Sequence, residues 1–453
     1  MATPEDTLSI AIIGSGIIGT VLALGLLNHP SASSDTSPKP KLKVKVYEQA
    51  SSIREIGAGI AFTANARKCM SMIDARLPEC VRSVATANGD PANPTNYMQF
   101  VDGYTHAAGD GVGEEMEGRT VHRLHAGERG FEGCHRAQFL EKVMELMPGG
   151  VVELRKRLVS LDQEDGDKVK MRFEDGSQEV ADAVIGCDGI KSLVRQHLLG
   201  PSSPSSYPHY THKIAYRGLV PMPLAMQTLG PYRATNQHMY GGPSAHLLHF
   251  PVMQQKLMNV VAFVSDASDW PLDKAMSQPA TREEAAVAFK DWGPTVKAII
   301  NLLPDEMDKW AVFDHLEFPT EKYSEGRVCL AGDAAHASSP HHGAGAGIGI
   351  EDALALRTLV GFVLDDLKEG GGGEGKKKDL LTKAFQTFSK VRHERSMWLV
   401  QSSREACEIY EWNHPEFGSD MGAAHEDIRR RTHKIWYFDI EGMMGELEGG
   451  YRS

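Results

Sequence analysis

The sequence predicts an α/β protein: a Rossmann-like parallel sheet interleaved with an antiparallel β-sheet, plus C-terminal helices. Three observations predict it. A charge-free run near the N-terminus is broken by glycines at 14, 16 and 19; a second strand-like segment ends on Glu48; and alternating segments recur between residues 209 and 265.

The run Ile10 to Leu27, IAIIGSGIIGTVLALGLL, holds eighteen residues without a charge, close to the length of a membrane span. Composition argues against that reading. With 24% charged and 41% hydrophobic residues over 453 positions and a mean hydropathy of -0.31, the chain reads as globular, with length for two or three domains and no membrane span. The glycines divide the run instead. Leu8 to Ile13 reads as a buried parallel strand and Thr20 to Asn28 as the following helix. Between them Gly14 permits a tight turn, Gly16 lets backbone approach a pyrophosphate, and Gly19 lets helix and strand pack closely, with free N–H groups aimed at phosphate. A lone G-x-G-x-x-G is weak evidence, so a second strand ending in an acidic residue is needed. Leu42 to Glu48 supplies it, and the Ser/Pro-rich stretch from Pro30 to Lys41 accounts for the long spacing as a surface loop.

Further along, Arg54 to Ala61 (REIGAGIA) is small-residue backbone, followed by a helix expected from Asn65. Ala183 to Gly189 (AVIGCDG) forms a second patch. Arg327 to His336 (RVCLAGDAAH) reads as a short strand entering a Gly-Asp turn, and Pro340 to Gly349 (PHHGAGAGIG) as a second glycine-rich loop opening a helix near Ile350. Such a loop is another anion site built from backbone amides.

These motifs, in this order, resemble the FAD-dependent aromatic hydroxylases, the single-component flavoprotein monooxygenases that include salicylate and para-hydroxybenzoate hydroxylases. The resemblance covers roughly Leu8 to Arg395. It implies bound FAD, with NAD(P)H as a transient co-substrate. It further implies that Gly14, Gly16 and Gly19 hold the ADP part of FAD, that Glu48 binds the adenosine ribose, and that Gly59 and Ala61 line the cofactor. Arg136, in CHRAQFL, matches the family arginine at a helix start near the cofactor. Asp188 is expected to join FAD and NAD(P)H handling, Asp333 to hold the ribityl and pyrophosphate region, and Gly345 and Ala346 to lie near the flavin ring. Many members carry Asn where this chain has Gly347, so a contact made there must come from backbone or be lost.

A closer likeness lies in HYTHKIAYRG (209–218), AHLLHFP (245–251) and THKIWYFD (432–439). These are similar to the fungal branch that hydroxylates polyketide-derived resorcinol and orcinaldehyde rings, the enzymes of tropolone, azaphilone and sorbicillinoid pathways. By pattern, Lys213 to Val220, His246 to Val252 and Leu257 to Ser265 are strands, which suits the family's antiparallel substrate domain. The expected division is a discontinuous FAD-binding domain (1–82, 120–205 and 311–366), a substrate domain (83–119 and 206–310) and a C-terminal helical region (367–453). Lys368 to Asp379, KEGGGGEGKKKD, is expected to be a flexible loop, and Leu380 to Tyr410 a long helix.

The chemistry assigns Arg217 a task. The family's oxygen donor, a C4a-hydroperoxyflavin, is electrophilic, so the attacked ring must be electron-rich. A guanidinium beside the phenol oxygen favours the phenolate. The alternative is a structural cation paired with Asp or Glu. Some fungal relatives hold the phenolate with a tyrosine at the position occupied here by Phe250. Tyr240 is the expected substitute, or His249 if the strand register differs, and Phe131 is expected to wall the ring.

The expected reaction is NAD(P)H- and O2-dependent hydroxylation of a phenolic polyketide, with dearomatisation where oxygen enters a substituted carbon. Alternatives are decarboxylative hydroxylation of a salicylate-like acid, a plain dehydrogenase, and a catalytically idle flavoprotein. The net charge of -12 gives no reason to expect nucleic acid as partner. Six cysteines without C-x-x-C spacing, and His336, His341 and His342 outside any standard zinc pattern, predict neither disulfides nor a metal. An acidic N-terminal segment and scattered thiols point to the cytoplasm.

Overall fold

The computed structural model describes residues 7–30, 41–52, 59–105, 118–126, 130–163, 166–271, 275–370 and 373–453. The loop expected at 30–41 and residues 54–58 of the small-residue stretch therefore lie almost wholly outside the described residues.

A six-stranded sheet forms the first layer, in the order Ser324–Glu325, Val328–Leu330, Ala183–Gly186, Thr7–Ile13, Lys41–Tyr47, Val152–Glu153. Thr7–Ile13 is central, parallel to Lys41–Tyr47 on one side and to Ala183–Gly186 on the other. That position explains its unbroken apolar run, since a parallel strand covered on both faces has no solvent side to alternate toward. Helix Ile17–Leu27 follows and buries nine of its eleven residues.

The second layer is an eight-stranded sheet: Ser277–Thr281, Glu306–Asp314, His209–Pro221, Leu257–Ser265, Ala245–Val252, His238–Gly242, Asn96–Asp102, Thr120–His125. Its pairs are antiparallel except for His238–Gly242 with Asn96–Asp102. The three strands expected from alternation are all present, and the sheet runs past the expected boundaries at 119 and 310, because Thr120–His125 pairs with Asn96–Asp102 and Glu306–Asp314 continues to residue 314.

The two faces of this sheet bury different cores. Tyr216, Tyr240, Leu247, Val260 and Ala262 pack on one side against Val296, Ile299 and Leu303 of helix Pro294–Asn301 and the turn after it. Phe100, Met239, Phe250 and Val252 pack on the other against Ala344, Ile348 and the C-terminal helices.

Helices Gly345–Gly370, Glu374–Tyr410, Met421–Trp436 and Ile440–Arg452 complete the chain. Of the flexible loop expected at 368–379, residues 368–370 and 374–379 are helical, continuing the two flanking helices, which stop at the glycine run; residues 371–372 lie outside the described residues. Among the described residues no helix is long and apolar enough to cross a membrane.

Candidate functional site

Four of the expected cofactor motifs converge on the start of helix Ile17–Leu27. Gly14 has φ +99°, and a Cβ there would lie 2.5 Å from the Cys187 carbonyl oxygen, so the first turn and the 187–189 turn touch backbone to backbone. A Cβ on Gly19 would meet the Gly14 carbonyl oxygen at 2.1 Å, and one on Gly16 would stand 3.6 Å from Arg136 Nη2. Arg136 thus reaches the mouth of the glycine loop from the first turn of helix Arg136–Glu145. Ile18 sits over the Gly-Asp turn: Cβ atoms on Gly332 and Gly349 would approach its side chain to 2.9 and 2.5 Å.

Glu48 ends the second strand beside this loop. Its Oε2 accepts from Ser15 N–H at 2.8 Å and from Ser15 Oγ–H at 3.0 Å, and its Oε1 accepts from Ala50 N–H at 2.8 Å. The carboxylate is held at the edge of the loop, where a ribose would compete for it. Asp333 is exposed, and its Oδ1 lies 4.0 Å from where Gly345 would carry a Cβ. Gly345 and Ala346 open helix Gly345–Gly370.

This arrangement fits a dinucleotide cofactor such as FAD. The glycine contacts leave room only for backbone, no side chain caps helix Ile17–Leu27, and its free N–H groups and Arg136 face the same mouth. Asp188 has a structural duty. Its carboxylate accepts from Ser192 Oγ–H (2.5 Å), Leu193 N–H (2.8 Å) and Val194 N–H (3.2 Å), tying down the start of helix Leu193–Leu199. Burial pushes its pKa up, against those hydrogen bonds.

Gly59 and Ala61 lie on strand Gly59–Ala61, paired with Glu132–His135. This short sheet joins the cofactor mouth to the eight-stranded sheet: a Cβ on Gly59 would fall 2.6 Å from the Phe250 ring. Phe250 also meets Phe131 edge-on at 5.4 Å.

Cross-strand register decides which side chains share the front face. Arg217, Val261, Leu248, Met239 and Phe100 are successive partners in one row, and direct partners point to the same face. Phe250 lies two residues from Leu248 and shares it. The Arg217 guanidinium lies 5.4 Å from the Trp310 ring centroid, burial lowers its pKa, and arginine stays charged regardless. Asp308 is its direct partner on strand Glu306–Asp314, yet among the described residues no carboxylate stands within ion-pair distance of the guanidinium.

Tyr240 corrects the expectation. It partners Leu247, which partners Ala262 and through it Tyr216, the row on the back face. Tyr240 is fully buried and meets His249 Nε2 at 3.2 Å. With strict alternation along an unbroken ladder, neither Tyr240 nor His249 can reach the side that carries Arg217 and Phe250.

A buried charge network, not legible in the sequence, clamps the cofactor loops. Asp352 Oδ2 accepts from Gly332 N–H at 3.0 Å and meets His336 Nε2 at 2.5 Å, while Oδ1 accepts from Arg392 Nε at 2.9 Å. Glu351 is paired with Arg392 and Arg395, and also accepts from Asn65 Nδ2 at 2.7 Å. Asn65 Nδ2 lies 3.6 Å from where Gly347 would carry a Cβ, so a side-chain amide from the facing helix stands beside that glycine. The only available signal was adjacent acids in an apolar helix, with arginines forty residues on.

Two families match. A family described as FAD binding domain matches residues 137–370, and one described as FAD-NAD(P)-binding matches residues 11–191. The chain is 44% identical to a salicylate hydroxylase of Sarocladium schorii over 99% of its own length and 92% of the relative's. It is 46% identical to an FAD-dependent monooxygenase of Monascus ruber over 99% of this chain and 98% of that one. A solved salicylate hydroxylase in complex with substrate superposes with a TM-score of 0.80, at 30% identity and 98% coverage of both chains.

Proposed function

Because the chain belongs to the FAD-dependent monooxygenases of the FAD binding domain family and is of the salicylate hydroxylase-like type, we propose that it uses NAD(P)H and O2 to hydroxylate a phenolic polyketide of the orcinaldehyde or resorcinol type. Oxygen entering at a substituted carbon would leave a dearomatised dienone.

One observation carries this reading: a partly buried guanidinium, Arg217, shares a sheet face with Val261, Leu248, Phe263 and Phe250, and although Asp308 is its partner on the neighbouring strand, no ion pair joins the two. A largely apolar wall with one cation outside any ion pair suits a flat ring bearing one anionic oxygen. In this partly buried setting the guanidinium favours the phenolate over the phenol, and the Trp310 ring lies beside it.

FAD, when bound, supplies the oxygen-activating redox chemistry, and Gly14, Gly16, Gly19, Glu48, Arg136, Asp333, Gly345 and Ala346 would hold it. The protein's own contribution is to orient the ring with Arg217, to close its edge with Phe131 and Phe250, and to keep water out.

The salicylate-type reading draws support from the Sarocladium schorii relative. Its substrate carboxylate would need a second cation, and Lys213, the nearest cation along the Arg217 strand on that face, is committed to Glu411 and Glu408. The neutral phenolic aldehyde is therefore favoured.

The test is anaerobic reduction of the flavin by NADPH, with orcinaldehyde or salicylate, followed by oxygen and product mass. Reduction accelerated by orcinaldehyde, with a product heavier by one oxygen atom, supports the proposal. Acceleration by salicylate alone, with release of carbon dioxide, replaces it with the second reading.

A further inference from the structure

The cross-strand row next to that of Arg217 carries one polar side chain. Asn259 lies two residues from Val261, the partner of Arg217, and its own partners are Leu219 on one side and Phe250 on the other. Direct partners point to the same face, so the amide stands on the apolar wall between a leucine and the phenylalanine that closes the ring's edge. Other polar groups of this face are already engaged: Lys213, Ser265 and His246 are all tied to Glu411. The Asn259 side chain makes no hydrogen bond among the described residues.

The two ends of that amide differ. Asn259 is 4% exposed; its Nδ2 is closed off from solvent without a partner, whereas Oδ1, equally without a partner, is not closed off. A buried polar atom left unpaired is destabilising, and a valine or isoleucine would fill a strand position such as this one without that penalty. The row is also reachable, because Leu219 at its end is 38% exposed. The side chain therefore keeps an acceptor turned to open space on a wall where an apolar residue would pack better.

Arg217 and Asn259 are diagonal neighbours across the antiparallel pair His209–Pro221 and Leu257–Ser265, which sets their Cα atoms about 7–8 Å apart, close enough for long side chains to meet or for one ring to lie between them. Their chemistry is opposite. The guanidinium only donates and favours an oxygen that has lost its proton, while an amide oxygen only accepts and so requires one that keeps it. Such a pair tells two hydroxyls of one ring apart.

We propose that Asn259 orients the substrate ring, its Oδ1 accepting a hydrogen bond from a second phenolic hydroxyl while the ionised one lies at Arg217; the inference rests on the phenolic reading above. The polar contact that a phenylalanine cannot make at position 250 is supplied by the residue facing it one strand across. A ring with a single hydroxyl is held by Arg217 alone and turns about that contact. A resorcinol-type ring is fixed at two points, and one of its carbons is held toward the cofactor. Asn259 moves no proton and forms no covalent bond: it decides between substrates and between ring carbons.

The experiment titrates the FAD-loaded enzyme with orcinaldehyde and with its two monohydroxy analogues, each lacking one ring hydroxyl, reading the flavin absorbance; turnover with NADPH and oxygen then gives the position of the added oxygen by NMR. Wild type should bind orcinaldehyde roughly tenfold more tightly than the better analogue. Asn259→Leu should abolish that preference by weakening orcinaldehyde alone, and should place oxygen at more than one carbon. Its melting temperature without ligand should not fall, since no hydrogen bond within the protein is lost, and Asn259→Ala gives the same comparison with a smaller side chain. Full preference and a single product in both variants would overturn the inference, as would equal weakening of all three ligands together with a lowered melting temperature, the mark of a structural amide. Arg217→Met reports on the phenolic reading separately and should weaken all three ligands. Wild-type enzyme that retains flavin and binds none of them would overturn that reading and this inference with it.

Discussion

Gly59 and Phe250 occupy one space between them: the aromatic ring fills the volume that any side chain at 59 would take, with ring carbons 2.6 and 2.8 Å from the missing Cβ. The contact joins the strand at the cofactor mouth to the eight-stranded sheet, so packing there couples the two.

Gly59→Ala should therefore cost about 1–3 kcal/mol, as overpacking does, and weaken FAD retention. Adding Phe250→Leu should recover at least half of the loss, because the ring that clashes is gone. Thermal melts of the two single variants and the double variant, followed by flavin fluorescence, decide it. Strictly additive effects would mean that the two residues do not share the space.

Arg217→Met should lower kcat for hydroxylation by about 10²–10³-fold, the range for removing one charge-stabilising group, while FAD stays bound, since the guanidinium lies on the sheet and not in the glycine loops. Arg217→Lys should recover only part, because an ammonium cannot stack on Trp310 as a guanidinium does. The ratio of product formed to NADPH consumed checks both.

Arg392 is fully buried between Glu351 and Asp352. Arg392→Ala leaves those carboxylates with less than their counter-charge and should destabilise the protein by about 3–5 kcal/mol. Asp352→Asn is the subtler test, since it weakens the acceptor for Gly332 N–H and His336. FAD affinity in that variant should fall by roughly tenfold, measured by fluorescence on dilution, with a smaller change in melting temperature than Arg392→Ala gives.

His122 stacks on Phe100 at 4.3 Å, and its ring nitrogens find no partner among the described residues. Burial, and then the neighbouring His425, lower its pKa to about 3. Since the folded value lies below the ordinary one near 6.5, the stabilisation is complete above that pH and is lost as pH falls toward 3. At pH 5 the loss is about 2 kcal/mol. His122→Phe should then melt higher than wild type at pH 5, and the gain should shrink at pH 8.

All six cysteines are buried and unpaired, and burial raises the thiol pKa of each one whose shift is resolved, with Cys187, Cys329 and Cys407 held well above the ordinary value. A thiol reagent should titrate less than one equivalent in the native protein and six in denaturant. Several fast-reacting thiols before unfolding would contradict the packing around them.

The features readable in advance were those written into neighbouring residues. Gly14 to Gly19 specifies a turn and a helix start within six positions, and Leu257 to Ser265 announces a strand by its own pattern. Tyr240 failed for a different reason: which face a strand residue takes depends on register with its partners, and one step turns every side chain over. Glu411 and Arg392 were invisible because their partners lie 165 and 40 residues away. The chain brings such groups together only after both sheets exist.

The parallel sheet is assembled from distant parts of the chain, and this orders events on the ribosome. Thr7–Ile13 leaves the exit tunnel early, but its neighbouring layer needs Ala183–Gly186 and then Val328–Leu330, and the Gly-Asp turn is pinned by Asp352, whose charge is met only when Arg392 arrives. The nascent chain must wait through most of its synthesis with its first glycine loop unfinished. Cofactor capture is a late step, so flavin scarcity acts on full-length chains and leaves young ones untouched.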